Sequence, residues 1–128
     1  MQYEYFYGAQ AEQFSFYRIP KALFTVPNFR ELSTDAKVLY GILLDRMSLS
    51  LKNQWLDAQN KVYIIFTVDE IMDALNCANQ KATRLMVELE KRAGLIERKR
   101  QGLGRPNLIY VKNFAATING KSCEKADS

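Results

Sequence analysis

Apolar and polar positions alternate along the chain with two different periods, and the changes of period divide it into elements. Tyr3, Tyr5 and Tyr7 repeat every second residue, which puts three rings on one face of an extended segment. With Phe6, Phe14, Phe16 and Tyr17 they predict an aromatic arm over residues 1–13 and a short strand, interrupted by the polar stretch Gln10-Ala11-Glu12-Gln13. From residue 34 the period becomes helical. Ala36, Leu39, Tyr40, Leu43 and Met47 form one stripe with Val38 and Ile42 on a second side, so a helix over 34–49 is buried on more than one side. Leu32-Ser33-Thr34-Asp35 supplies an N-cap candidate.

A polar loop over 50–60, carrying Trp55, is followed by the β-rich run Val62-Tyr63-Ile64-Ile65-Phe66. Thr67-Val68-Asp69-Glu70 is a capping-box pattern, and Val68, Ile71, Met72 and Leu75 follow at i, i+3, i+4 and i+7. Asn76-Cys77-Ala78 breaks this second helix, and Asn79 is placed to cap a third, whose stripe is Ala82, Leu85, Met86 and Leu89. Two amphipathic helices joined by a tight turn make a helix-turn-helix. The third helix stops near Ala93-Gly94. Strands over 95–101 and 107–112, joined by the basic loop Gly102-Leu103-Gly104-Arg105-Pro106, then form a wing. The predicted fold class is α+β, a winged helix-turn-helix over 14–114 with an N-terminal aromatic arm or strand, and 115–128 reads as a linker or disordered tail.

Composition narrows the chemistry. The 128 residues, 25% charged and 48% hydrophobic, fit one globular domain. There is no histidine, so no Ser-His-Asp or Cys-His machinery exists and a zinc site lacks its usual nitrogen ligand. Cys77 and Cys123 are too few and too far apart for a C-x-x-C site or a disulfide framework, and Cys77 is most simply a small apolar turn residue. No apolar run approaches membrane-spanning length and the chain does not begin with a secretory signal, so a reducing, cytoplasmic setting without membrane contact is expected. No enzymatic activity, cofactor or metal is expected. Asp69, Glu70 and Asp73 sit at a helix start, where the dipole favours acids. Gly102-x-Gly104 joins strand to strand without Gly-Lys-Ser/Thr, so it reads as a turn and not as a phosphate loop.

The net charge of +4 is unevenly placed: residues 78–112 hold nine basic against three acidic residues, and the remainder is slightly acidic. Opposite its apolar stripe the third helix presents Gln80, Arg84, Val87 and Lys91, flanked by Lys81, Thr83 and Glu88. Arg and Lys read guanine, Gln and Asn read adenine, and an apolar side chain such as Val87 can touch a thymine methyl in a major groove that admits one helix. The alternative is an ordinary solvated face with pairs such as Arg84 with Glu88. Arg98, Arg100, Gln101 and Arg105, with Lys99, cluster on the hairpin, where Arg98 and Arg100 share a face and can follow a phosphate strand or reach a minor groove. A charged, solvated strand edge is the competing reading. Thr67 can present its hydroxyl and helix N–H groups to a phosphate, or serve only as a cap. The aromatic face of Tyr3, Tyr5, Tyr7, Phe14 and Phe16 either packs on the domain's own core or joins a second copy into a dimer.

The sequence resembles the N-terminal domain of the plasmid replication initiator protein A family of Gram-positive bacteria. The matching residues are Phe16-Tyr17-Arg18-Ile19-Pro20-Lys21, Leu32 to Tyr40, Asp45-Arg46, Lys52-Asn53-x-Trp55, Val62-Tyr63-x-x-Phe66, Lys99-Arg100-Gln101-Gly102 and Pro106-Asn107-x-x-Tyr110. The resemblance implies sequence-specific double-stranded DNA binding at repeated origin sites (iterons) to initiate plasmid replication. It also implies a homodimer on neighbouring repeats, and host replication proteins recruited through a separate C-terminal domain that this chain does not contain. By resemblance, recognition falls on Asn79, Gln80, Lys81, Thr83 and Arg84, and wing contacts on Arg100, Gln101 and Arg105. One departure stands out: four residues separate Leu89 from Gly94, where winged helices often have three. Two other readings stay open, an assembly module for dimerisation or plasmid pairing and a winged-helix transcriptional repressor.

Overall fold

The computed structural model describes residues 2–8 and 13–115. A short helix α1 (Ala22–Thr25) and a 3-10 turn (Pro27–Phe29) lead into α2 (Thr34–Lys52), followed by α3 (Val68–Leu75), α4 (Asn79–Val87), and strands β1 (Ile96–Lys99) and β2 (Leu108–Val111). The strands pair antiparallel, with Ile96 opposite Val111 and Lys99 opposite Leu108. Leu39 and Leu43 of α2, Ile71 of α3, Leu85 of α4, and Ile96 and Ile109 of the hairpin are all buried in one core. Burying such side chains is what holds the helices and the hairpin together. This is the α+β winged helix-turn-helix that the apolar stripes predict.

Local chemistry sets the helix ends. Ser33 Oγ accepts from Ala36 N–H at 3.2 Å to cap α2. At α3 the Thr67 hydroxyl accepts from Glu70 N–H at 3.2 Å while Glu70 Oε1 accepts from Thr67 N–H at 2.9 Å, the reciprocal pair of a capping box. Arg46 ties α2 to α3, with Nη2 2.9 Å from Glu70 Oε2 and its guanidinium 4.7 Å from the Phe66 ring centre.

Several elements differ from expectation. Helix α2 runs to Lys52, past 49, because its last carbonyls are satisfied: Trp55 N–H donates to Ser50 O at 2.9 Å and Gln54 N–H to Leu51 O at 3.2 Å. This is a Schellman ending with Gln54 at φ 57 where glycine is usual. The run 62–66 forms bridges only, Val62 with Leu56 and Ile64 with Ile109, because the chain turns into α3 at Thr67 before a longer ladder can form. Asn79 is the first residue of α4 and not its cap. Asn76 takes the left-handed conformation at the end of α3, so Ala78 falls on the cap position. Both wing strands are shorter than predicted.

The extra residue between Leu89 and Gly94 is taken up within the helix. Residues Glu88–Arg92 form a π turn, which holds one residue more per turn than an α-helix, and Ala93 N–H donates to Glu88 O at 3.1 Å. Gly94, at φ +66, then lets Leu95 N–H close on Leu89 O at 2.9 Å.

The arm holds no strand among the described residues, and its rings do not pack into the core: Tyr3, Tyr5 and Tyr7 are 82%, 83% and 68% exposed. Phe6, Phe14 and Phe16 meet edge to face at 6.1 and 6.3 Å instead. Residues 9–12 and the expected tail beyond Ala115 lie outside the described residues. Among those described, no helix is long and apolar enough to cross a membrane.

The segment leading to α1 passes close over α2 at Gly41. A Cβ there would stand 2.9 Å from Ile19 Cγ1 and 3.0 Å from the Arg18 carbonyl oxygen. Alanine is the better helix former by roughly 1 kcal/mol, yet Gly41→Ala is expected to destabilise the fold by about 1–3 kcal/mol through overpacking. Urea unfolding measures this directly, and an increase in stability would show that the crossing segment yields freely.

Candidate nucleic-acid interface

Helix α4 keeps its two faces apart. Ala82, Leu85 and Met86 are buried, whereas Asn79, Gln80, Thr83, Arg84 and Val87 are exposed. The exposed set offers amide, hydroxyl and guanidinium groups around an apolar Val87 that is 40% exposed. Lys81 lies half-buried at the margin, its Nζ 2.7 Å from Asp35 Oδ2 in the first turn of α2. Glu88 is not on this face and does not pair with Arg84. It is buried, because the π turn directs it to α2, where its carboxylate accepts from Ser33 N–H and, at 2.8 Å, from Ser33 Oγ. The cap of α2 thereby holds the end of α4, so its exposed polar face is carried on a helix fixed at Asp35 and at Ser33.

The wing is fixed with equal care. Tyr40 of α2 donates its hydroxyl to Lys112 O at 2.6 Å, and burial pushes that phenol up to about 12. Tyr110 donates to Asp57 Oδ2 at 3.1 Å on the outer face of β2. In the loop, Gln101 Nε2 donates to Pro106 O at 2.7 Å and Arg105 N–H to Gly102 O at 3.3 Å. Gln101 is therefore committed, through one amide hydrogen, to the shape of the loop. Lys99, Arg100 and Arg105 are exposed, and Leu103 stands fully exposed at the tip.

Thr67, Arg98, Arg105 and Asn107 line one cleft of about 270 Å3, with Met86 and Ile71 also in its walls. The start of α3, the back of α4 and the wing converge there. Thr67 is exposed, with its hydroxyl engaged in the cap. Arg98, by contrast, gives Nε and Nη2 of its guanidinium to Glu90. Tyr3, Tyr5, Tyr7, Phe14 and Phe16 are exposed and contribute nothing to this cleft.

Sequence reasoning missed Asp35, Ser33, Glu88 and Glu90 as the residues that hold the site. Each pairs with a partner distant in sequence or across the π turn, and no periodic pattern encodes such pairs. Among the described residues no group of His, Cys, Asp or Glu side chains could hold a metal ion.

Residues 15–125 match the family described as the N-terminus of replication initiator protein A. Three solved structures are similar along most of the chain. One described as the N-terminal domain of a DNA binding protein has a TM-score of 0.72 and 35% identity, covering 99% of this chain and 98% of that one. A Rep–DNA complex gives a TM-score of 0.71 and 38% identity over 86% of this chain and 84% of that one. An MDR initiator gives a TM-score of 0.70 and 39% identity over 98% and 99%. A 41 kDa protein of Lactobacillus helveticus is 33% identical over 103 residues, which are 80% of this chain but 28% of that protein. The chain thus spans little more than a quarter of this relative's length.

Proposed function

Because this chain belongs to the replication initiator protein A N-terminal family, we propose that it binds double-stranded DNA sequence-specifically at repeated origin sites to start plasmid replication, acting as a binder and not as a catalyst. Helix α4 enters the major groove, where Gln80, Thr83, Arg84 and Val87 meet base edges. The wing lies along the flanking backbone or minor groove through Lys99, Arg100 and Arg105. One observation carries the reading: a polar, basic, exposed face on α4 beside an exposed basic hairpin, in a chain 38% identical to the protein of a solved Rep–DNA complex.

Fluorescence anisotropy on duplexes carrying the direct repeats of the surrounding replicon, and on scrambled copies, tests this. We expect a preference of roughly a thousandfold at physiological salt, and log affinity falling with log salt at a slope near −4 to −5 if about five phosphates are neutralised. Equal, weak binding to both duplexes would refute sequence-specific reading. Binding confined to a promoter would favour the repressor reading.

The exposed rings of Tyr3, Tyr5, Tyr7, Phe14 and Phe16 support a second element of the proposal, a homodimer joined through the arm. Deleting residues 1–13 should leave a monomer in sedimentation, whereas an unchanged dimer would place the interface elsewhere. Recruitment of host replication proteins belongs, in this reading, to a separate C-terminal domain.

A further inference from the structure

Glu90 spends both carboxylate oxygens on one residue of the wing. Its Oε2 accepts from the Arg98 backbone N–H at 3.1 Å, and its Oε1 accepts from Nε at 3.0 Å and Nη2 at 2.8 Å. The two side chains are only 16% and 25% exposed for Glu90 and Arg98 respectively, so solvent and salt screen the pair weakly. Burial pushes the Glu90 carboxyl up, but the hydrogen bonds and charge of Arg98 outweigh it and hold the group below its ordinary value, which keeps it ionised at neutral pH. The π turn places Glu88 and Glu90 so that the first grips α2 and the second grips β1.

Arg98 also lines the cleft shared by Thr67, Arg105 and Asn107. A guanidinium there, released from Glu90, is a ready hydrogen-bond donor to a phosphate oxygen, and a phosphate contact adds affinity without adding sequence information. Its neighbours Lys99, Arg100 and Arg105 are exposed, so the wing already has cations for the backbone.

Resting on the DNA-binding reading above, we propose that Glu90 is a specificity-determining positioning residue, which withholds Arg98 from the DNA backbone and sets the angle of the wing against the end of α4. The bound pair contributes no net charge to the interface. Non-specific binding is thereby kept low.

The test compares wild type, Glu90→Gln, Arg98→Gln and the double variant, on the repeat duplex and a scrambled one, across a salt series. For Glu90→Gln we expect affinity for the scrambled duplex to rise roughly three- to tenfold and its salt slope to steepen by about 0.9, the value of one added phosphate contact. The double variant should return the slope to wild type, and Arg98→Gln alone should leave it unchanged. A Glu90→Gln slope equal to wild type, with only a lowered melting temperature, would overturn the proposal by reducing the pair to a structural tie. A slope already shallower by about 0.9 in Arg98→Gln would overturn it too, since Arg98 would then touch the backbone in the native complex. Failure of the underlying reading looks different, because wild type itself would then show no salt-dependent binding, and the proposal would fall with it.

Discussion

Arg84→Ala should weaken binding to the cognate repeat by roughly 1–3 kcal/mol, about 5- to 150-fold, while leaving affinity for a scrambled duplex within about twofold. Arg84 is exposed on α4 beside Gln80, Thr83 and Val87, and no ion pair or side-chain hydrogen bond recorded among the described residues engages it. A guanidinium so placed can bond both acceptors of a guanine, an interaction lost whole when the side chain is removed. Its removal should also relax the preference at one base position. Competition titrations with single-position repeat variants check both parts. An equal loss on cognate and scrambled duplexes would mean that Arg84 grips phosphate and does not read a base.

Leu85→Ala, one residue along, should act on stability instead. Leu85 is fully buried, 0% exposed, because a step of one residue turns an α-helix by about 100° and carries the side chain from the exposed face to the core. Truncation removes the transfer energy of the lost methyl groups and leaves a cavity, at a cost of about 2–5 kcal/mol. Domains of this size have only about 5–15 kcal/mol in total, so a fall in melting temperature of roughly 8–20 degrees is expected. The folded fraction should nonetheless keep its preference for the repeat over the scrambled duplex. A melting temperature close to that of wild type would mean that Leu85 is not buried in the core as described.

The contrast between these neighbours indicates what the sequence could disclose. The stripe of Ala82, Leu85, Met86 and Leu89 fixes the orientation of α4 by period alone, and its polar remainder follows without further information. Thr67 and Glu70 announce the start of α3 because both partners of the capping box lie within one turn. Pairing between distant residues has no such local sign. Ser33 with Glu88, Asp35 with Lys81 and Tyr40 with Lys112 are each brought together by tertiary packing. The end of α2 escaped for a smaller reason, since Gln54 occupies a left-handed position that composition assigns to glycine or asparagine. The count between Leu89 and Gly94 did register an extra residue, but only the backbone reveals that a π turn absorbs it and so directs Glu88 and Glu90 to their partners. In the arm, alternation marks a face but not what covers it.

On the proposal above, α4 reads bases from the major groove. Replacing the guanines and adenines of the repeat with their 7-deaza analogues removes the N7 acceptor, which lies in the major groove alone, and leaves Watson–Crick pairing and the minor groove unchanged. Binding of the native chain to such a duplex should fall to within about tenfold of its affinity for the scrambled duplex. Full affinity for the 7-deaza repeat would contradict the account and move sequence reading to the wing, the minor groove or the shape of the DNA.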